Sequence, residues 1–585
     1  MNRPHLEGSG IYIKIFITEF VSETVISMQK YILPIIIILG FLLRIVLLDK
    51  IPAGFTPDEA SFGYDAYSII KTGRDQWGKT FPLVFESFGD YKSPLYTYLT
   101  IPSVWLFDLN KFSVRLPNAI LGTAAIYVLY LLIKELKIGD SLGFRNLKLE
   151  ILAPALLAAS PWHIMMSRGA FEANLTTFLL PLSLLFFLKG LKCPKYLILS
   201  ALPLSLNVFS YHSAKFVTPV LFIVLGLIFR KELLKSWGIW HKISIGILLL
   251  FAGIFIIGLS GGSSTRILDV SIFKTSLLEA SSERIKAING GMNPTLARVI
   301  YNKYQAGIRH FAGNYITYFS PQFYFSQGPA ESTYGMIPGR GVLYWFELPI
   351  LIIGFIYLAK NISSKFVMTV VFWLLLAPIP AALSIGPGYA ANRAVIMLPA
   401  LQIASALGLC YLIVWIDSIK YKKTVYTILG VISFSFFSYF ALDYFMLSPQ
   451  KSAQGMLYGN YEALKYVSEN YSGRQIIVSR RLSEPHMYTA FANKWDPAEY
   501  QENSKHWNYK DMKLGWVDQM PEYRLGNYVF KNINLNEYVN RNVVLVGKPD
   551  EFPRGISFDF IFLYPNGEEA IGIVDMNYQK YAGKN

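Results

Sequence analysis

Apolar runs punctuate this chain at short intervals, each close to the length that crosses a lipid bilayer. A spanning helix needs roughly 17–25 mostly apolar residues, and by that measure about eleven segments qualify. They lie at 32–48, 113–134, 150–166, 172–190, 195–211, 214–229, 241–259, 342–359, 365–386, 393–416 and 424–446. The charges between them are unevenly placed. With the N-terminus in the cytoplasm, five short basic loops fall on the inner face. They hold Lys134, Lys137, Arg145 and Lys148, then Lys189, Lys192 and Lys195, then Arg230, Lys231, Lys235 and Lys242, then Lys360 and Lys365, then Lys420, Lys422 and Lys423. That is the bias the positive-inside rule requires. It holds only if 94–107 (PLYTYLTIPSVWLF) is not a span. This segment is short, is interrupted by Pro102, and carries Tyr96, Tyr98, Trp105 and Phe107. It reads as a juxtamembrane helix lying in the interface.

Three polar regions then face outward: 49–112, 260–341 and 447–585. The last predicts a small extracytoplasmic α/β domain. A helix is expected over 462–471, strands over 475–479 and 542–546, and a hairpin of 558–564 with 570–574 around Pro565-Asn566-Gly567. The expected fold class is therefore a polytopic α-helical membrane protein. It comprises a cytoplasmic segment 1–31, a membrane domain 32–446 and an outer α/β domain 447–585.

Composition agrees. Of 585 residues, 53% are hydrophobic and 16% charged, and the mean hydropathy is +0.35. An ordinary soluble protein is excluded. The net charge of +15 is absorbed by cytoplasmic loops, so no nucleic-acid partner is expected. Cys193 and Cys410 are the only cysteines, too few for a disulfide framework or a cysteine-based zinc site. About thirty residues precede the first apolar run and no small-residue cleavage site follows it, so no cleavable signal peptide is expected.

With this topology the unusual polar residues near the spans gather on the outer side: Asp58, Glu59, Asp90, Lys92, Arg115, Arg168, Glu172, His212, Lys215 and Arg393. Any one of them serves equally well as an interfacial anchor; together they suit a charged lipid head group. Thr56-Pro57-Asp58-Glu59 offers a carboxylate for general-base work. It is also a helix start, with Pro in the first turn and acids at the positive end. The two roles are compatible. Lys92, in Gly89-Asp90-Tyr91-Lys92-Ser93-Pro94, sits where a lysine reaches a lipid phosphate. Asp90 and Tyr91 beside it are possible substrate contacts. Arg115 and Arg393 each open a span and carry forks that grip phosphate. Arg168 and Glu172 are four apart and are expected to pair with each other. His212 and Lys215 are possible substrate contacts. No spacing matches a metal site, a phosphate-cradling glycine loop or a serine nucleophile elbow.

The residues from 32 to about 450 resemble a GT-C glycosyltransferase, near the clan of protein O-mannosyltransferases and bacterial aminoarabinose or lipid-sugar transferases. The resemblance is carried by PDEASFGYDAYSIIKTGRDQWGK, FGDYKSPLYTYLTIP and FSVRLPNAILGT, and continues in SPWHIMMSRGAFEAN and YAANRAVIMLP. It implies transfer of a sugar from a polyprenyl-phosphate carrier at the outer side of the plasma membrane to a protein, glycan or lipid acceptor. Asp58 matches the clan's catalytic base and Glu59 its neighbour. Lys92, Arg115 and Arg393 match basic positions near the carrier phosphate, although Ser93 replaces a proline of the pattern. Inversion at the anomeric centre without a divalent metal or other cofactor is implied. A lipid-linked-sugar flippase, and a ligase or polymerase using a diphosphate donor, are the competing readings.

Overall fold

The computed structural model describes residues 31–136, 147–258, 272–329, 333–384, 390–539 and 541–577. The cytoplasmic segment 1–31, nearly all of it, and the loop positions Lys137 and Arg145 lie outside the described residues, as do 260–271 and 330–332 of the second outer region.

The membrane body is helical. In chain order it contains α1 (Tyr31–Ile45), α2 (Pro57–Thr72), α3 (Leu95–Phe107), α4 (Lys111–Leu136), α5 (Leu147–Ala159), α6 (Thr176–Lys192), α7 (Tyr196–Val208), α8 (Ala214–Ile228) and α9 (Ile239–Gly258). Then follow α10 (Ile272–Asn289), α11 (Lys303–Thr317), α12 (Glu347–Lys360), α13 (Lys365–Leu376), α14 (Leu398–Asp417) and α15 (Lys422–Leu442). Every apolar run read from the sequence is helical. Among the described residues, six helical stretches are long and apolar enough to cross a membrane: Lys111–Leu136, Glu172–Lys192, Ile239–Gly258, Lys365–Ala382, Ala391–Asp417 and Lys422–Ser452. The chain is thus a multi-pass membrane protein. Shorter apolar helices accompany them, at Tyr31–Ile45, Leu149–Ala159, Tyr196–Val208 and Ala214–Ile228, and helix length does not count these as spans. The run 150–166 is broken at Ser160, which caps a separate turn at Pro161–Met166. α3, with Pro102 inside it, measures only about 20 Å, too short to span. Its tip exposes Trp105, Leu106 and Phe107, as an interfacial helix does.

The C-terminal region is an α/β unit. Its sheet runs β4-β5-β3-β6-β8-β7, from β3 (Gln475–Ser479), β4 (Glu522–Leu525), β5 (Tyr528–Lys531), β6 (Val543–Gly547), β7 (Phe560–Leu563) and β8 (Glu569–Asp575). β3 pairs in parallel with β5 and β6, and β7 pairs antiparallel with β8. Helices α16 (Asn460–Asn470), α17 (Pro485–Ala492) and α18 (Pro497–Ser504) complete it. It shares one hydrophobic core with the first outer loop: Phe55, Phe62, Tyr64 and Tyr96 pack with Phe491 and Tyr500. Phe55 N–H donates to Met456 O at 2.9 Å. Gly54 has φ +95°, and a Cβ there would lie 2.3 Å from the same carbonyl, so glycine is needed for this approach.

Candidate functional site

The site is assembled at the head of α2. Thr56 caps the helix through its side chain, which accepts from Glu59 N–H at 3.3 Å, and Glu59 Oε2 accepts Thr56 N–H at 3.1 Å. This reciprocal cap with Pro57 in the first turn fixes the helix start and sends the two adjacent carboxylates in opposite directions. Glu59 is fully buried; the Asp58 side chain stays 42% exposed.

Lys92 meets Asp58. It lies on β2 (Tyr91–Lys92), paired antiparallel to β1 (Phe85–Glu86) with Phe85 opposite Lys92. Its Nζ is 2.8 Å from Asp58 Oδ1 and donates to Asp58 O at 3.3 Å. The ammonium also lies over the rings of Phe62 and Phe88, 4.6 and 5.0 Å from their centroids, where a desolvated cation gains from the ring faces. Asp90 closes the intervening turn: its carboxylate accepts Tyr91 N–H at 2.7 Å, and its carbonyl accepts Ser87 N–H at 2.8 Å. Tyr91 lies beneath the Lys510 ammonium.

Lys92 and Lys215 line one small pocket with Tyr91, Pro94, Phe209 and Phe255. Lys215 Nζ is 3.4 Å from His212 Nδ1. Phe209, Lys215 and Phe255 also line a groove of roughly 750 Å³ between α7, α8 and α9, which is otherwise almost wholly apolar. Ile223 and Leu249 at this groove are largely exposed, so it faces the lipid. Arg393, half-buried in the turn Ala391–Ala394, stands on a segment tied to the same region. Asn392 Nδ2 donates to Tyr211 OH at 3.2 Å, and this turn packs on the one that begins with Glu172.

Two of the candidate arginines are committed elsewhere. Arg115 donates to both Glu59 oxygens and to the carbonyls of Leu48, Pro52 and Gly54. All five of its N–H groups are engaged, leaving none for a phosphate. Glu59 is equally committed, since its Oε1 also accepts Ala170 N–H at 3.0 Å. The sequence expectation of a phosphate grip for Arg115 and a catalytic role for Glu59 gives way to a buried structural pair. Arg168 donates to the carbonyls of Leu43, Val46 and Ile51 and lies over the Phe445 ring. These bonds hold it in place.

Sequence reasoning missed a set of acids around the pair. Asp65, two turns along α2 from Asp58, is buried and accepts Gln76 N–H at 3.0 Å. Burial, then the charge of Asp75, holds its carboxyl well above the usual range. Glu484 comes from the C-terminal region, with its N–H on Asp518 Oδ2 at 3.3 Å; burial and Asp518 push it up as well. The 58/65 spacing was visible as two helical turns on one face. Nothing local marked Glu484. Among the described residues, no group of three His, Cys, Asp or Glu side chains is arranged to hold a metal ion.

No protein-family model matches the sequence, and no curated protein matches it. Solved structures do. ArnT from Cupriavidus metallidurans in the apo state is 10% identical, with a TM-score of 0.50 covering 94% of this chain and 98% of that one. The same protein bound to undecaprenyl phosphate is 11% identical, with a TM-score of 0.48 over 96% and 99%. The oligosaccharyltransferase AglB from Archaeoglobus fulgidus, in complex with an inhibitory peptide and a dolichol-phosphate, is 15% identical with a TM-score of 0.45, covering 89% and 69%. Across nearly the full length of both chains, this protein shares the GT-C fold of ArnT.

Proposed function

We propose that the protein is a membrane glycosyltransferase. It takes a sugar from a polyprenyl-phosphate carrier at the outer face of the plasma membrane and passes it to a hydroxyl of a protein, glycan or lipid. One observation carries this reading: a half-exposed carboxylate, Asp58, is in contact with a buried lysine, Lys92, which shares a small pocket with Lys215, and Lys215 also lines a lipid-facing apolar groove. The polyprenyl chain lies in the groove and its phosphate between Lys92 and Lys215. A phosphate there competes with Asp58 for the Lys92 ammonium and frees the carboxylate as the donor arrives. Asp58 then takes the proton of the acceptor hydroxyl. The acceptor oxygen bonds to the anomeric carbon as the bond from that carbon to the phosphate oxygen breaks, inverting the centre. The departing phosphate charge is met by the two lysines, so no divalent metal is needed and chelators leave the rate unchanged.

The test offers the purified protein a panel of polyprenyl-phosphate sugars in vesicles and measures free polyprenyl phosphate. Asp58→Asn is expected to lower turnover by about 10²–10⁴-fold, the usual worth of a general base; it also takes the counter-charge from the buried Lys92 ammonium, so turnover is compared at a temperature where both proteins are folded. Undiminished transfer by that variant removes Asp58 from the reaction. Donor moved across the vesicle with its sugar still attached identifies a flippase instead.

A further inference from the structure

Lys92 is not held by the first outer loop alone. Strands of two residues have too little ladder to fix a hairpin by themselves, and this one is gripped from outside by residues 509–517 of the C-terminal region. Val517 N–H donates to Phe88 O at 3.0 Å. The Trp516 ring packs on the Phe88 ring, with centroids 5.7 Å apart, and Phe88 in turn lies against the Lys92 ammonium. The Tyr509 hydroxyl donates to Glu86 Oε1 at 2.7 Å, and Lys510 pairs with the same carboxylate. Glu86 stands one residue along β1 from the partner of Lys92. At the turn Gly89 has φ +117°, and a Cβ there would lie 2.1 Å from Gly515 O. Turn and segment therefore meet backbone to backbone, with no room for a side chain.

We propose that residues 509–517 form a strap that sets the position of Lys92, with Trp516 acting through Phe88 and Tyr509 through Glu86. Both are positioning residues. The importance of the strap for the donor phosphate rests on the functional reading above; its hold on Lys92 does not. The ammonium fits a slot whose one wall, Phe88, is backed by Trp516. Removing that backing lets the wall and the hairpin move. A misplacement of about 1 Å is enough to cost roughly 10²-fold at a reacting centre.

The experiment uses the full chain in detergent and has two arms. In the first, without lipid, an amine-acylating reagent is applied and modification at Lys92 is followed by mass spectrometry. Lys92, only 4% exposed, resists in the wild type. In Trp516→Ala its labelling rises several-fold, in Tyr509→Phe it rises less, and in Trp516→Phe it stays at the wild-type level. Lys111, half-buried against Glu462, is unchanged throughout. Unaltered Lys92 labelling in both Trp516→Ala and Tyr509→Phe overturns the strap. So does a rise at Lys92 matched at Lys111, which marks general loosening. In the second arm, binding of undecaprenyl phosphate weakens roughly tenfold in Trp516→Ala and is restored in Trp516→Phe. Equal binding by wild type and Trp516→Ala, with Lys92 freed, overturns the link to the phosphate. A wild type that binds none overturns the functional reading, while the labelling arm still decides the strap.

Discussion

At the scale of single residues, burial pushes several carboxyls near the site towards the protonated form. Asp75 is a case with a measurable sign. Its Oδ1 accepts the N–H groups of Trp77 and Lys79 at 2.9 and 2.8 Å, whereas its Oδ2 is buried without a hydrogen-bond partner among the described residues. Burial pushes its carboxyl up to about 6, against the pull of those N–H groups. Between about pH 4, where the unfolded group titrates, and about pH 6, the native state binds more protons than the unfolded one. Stability therefore falls as pH rises through that window and then levels. Asp65 is raised too and adds a decline of the same sign, while Glu86, drawn down by Lys510 and Lys79 against its burial, opposes it. Asp75→Asn is expected to flatten the decline and to leave the protein more stable than wild type at pH 7. Thermal unfolding from pH 4 to 8 checks this; parallel curves for the two proteins would show that Asp75 does not titrate in the window.

At the scale of elements, the Glu59–Arg115 pair is a joint. Arg115 on α4 gathers the loop from Leu48 to Gly54 and the head of α2 into one buried cluster. Removing one partner of such a pair leaves a buried charge uncompensated, which costs about 3–5 kcal/mol. Arg115→Met is therefore expected to lower the melting temperature sharply, and more than the neighbouring Asp58→Asn, whose carboxylate is 42% exposed. A mild effect of Arg115→Met would mean the cluster opens to water. This joint also marks how far the sequence could be read. Thr56-Pro57-Asp58-Glu59 was legible as a cap with acids in its first turn, because capping is local chemistry. The division of labour between the two acids was not, because the partner of Glu59 is fixed by tertiary packing. Pro102 and the interfacial aromatics marked α3 as too short and too wet to span. The strands at 475–479 and 570–574 were legible from short β-branched runs bounded by turn residues. The hairpin of β4 and β5 was missed although Gly526-Asn527 between them is a two-residue turn signal. The two-residue strands that carry Lys92 have no periodicity to read, and the strap lies more than four hundred residues further along the chain.

At the scale of the whole molecule, two expected outcomes concern what faces which side. Cys193 lies part-exposed in the short basic loop after α6, and Cys410 is buried. A membrane-impermeant maleimide is expected to reach Cys193 only from the cytoplasmic side and an Asn566→Cys variant only from outside. Labelling of Cys193 in sealed cells would invert the topology and put Asp58 on the wrong face. The other outcome concerns the groove. Gly226 lines it on α8, and a Cβ built there meets nothing within 4 Å. Gly226→Leu thus fills groove space without a clash and raises helix propensity by up to about 1 kcal/mol, so the fold is at least as stable. Along α8, Gly226 is roughly 16 Å from Lys215, several isoprene units below the phosphate. A donor with one or two units never reaches it, whereas a long carrier does. The variant is expected to raise KM for a long-chain donor severalfold and to leave a short-chain donor untouched. Steady-state transfer with the two donors checks it. If both KM values rise together, or neither does, the polyprenyl chain lies elsewhere and the groove does not serve the lysine-lined pocket.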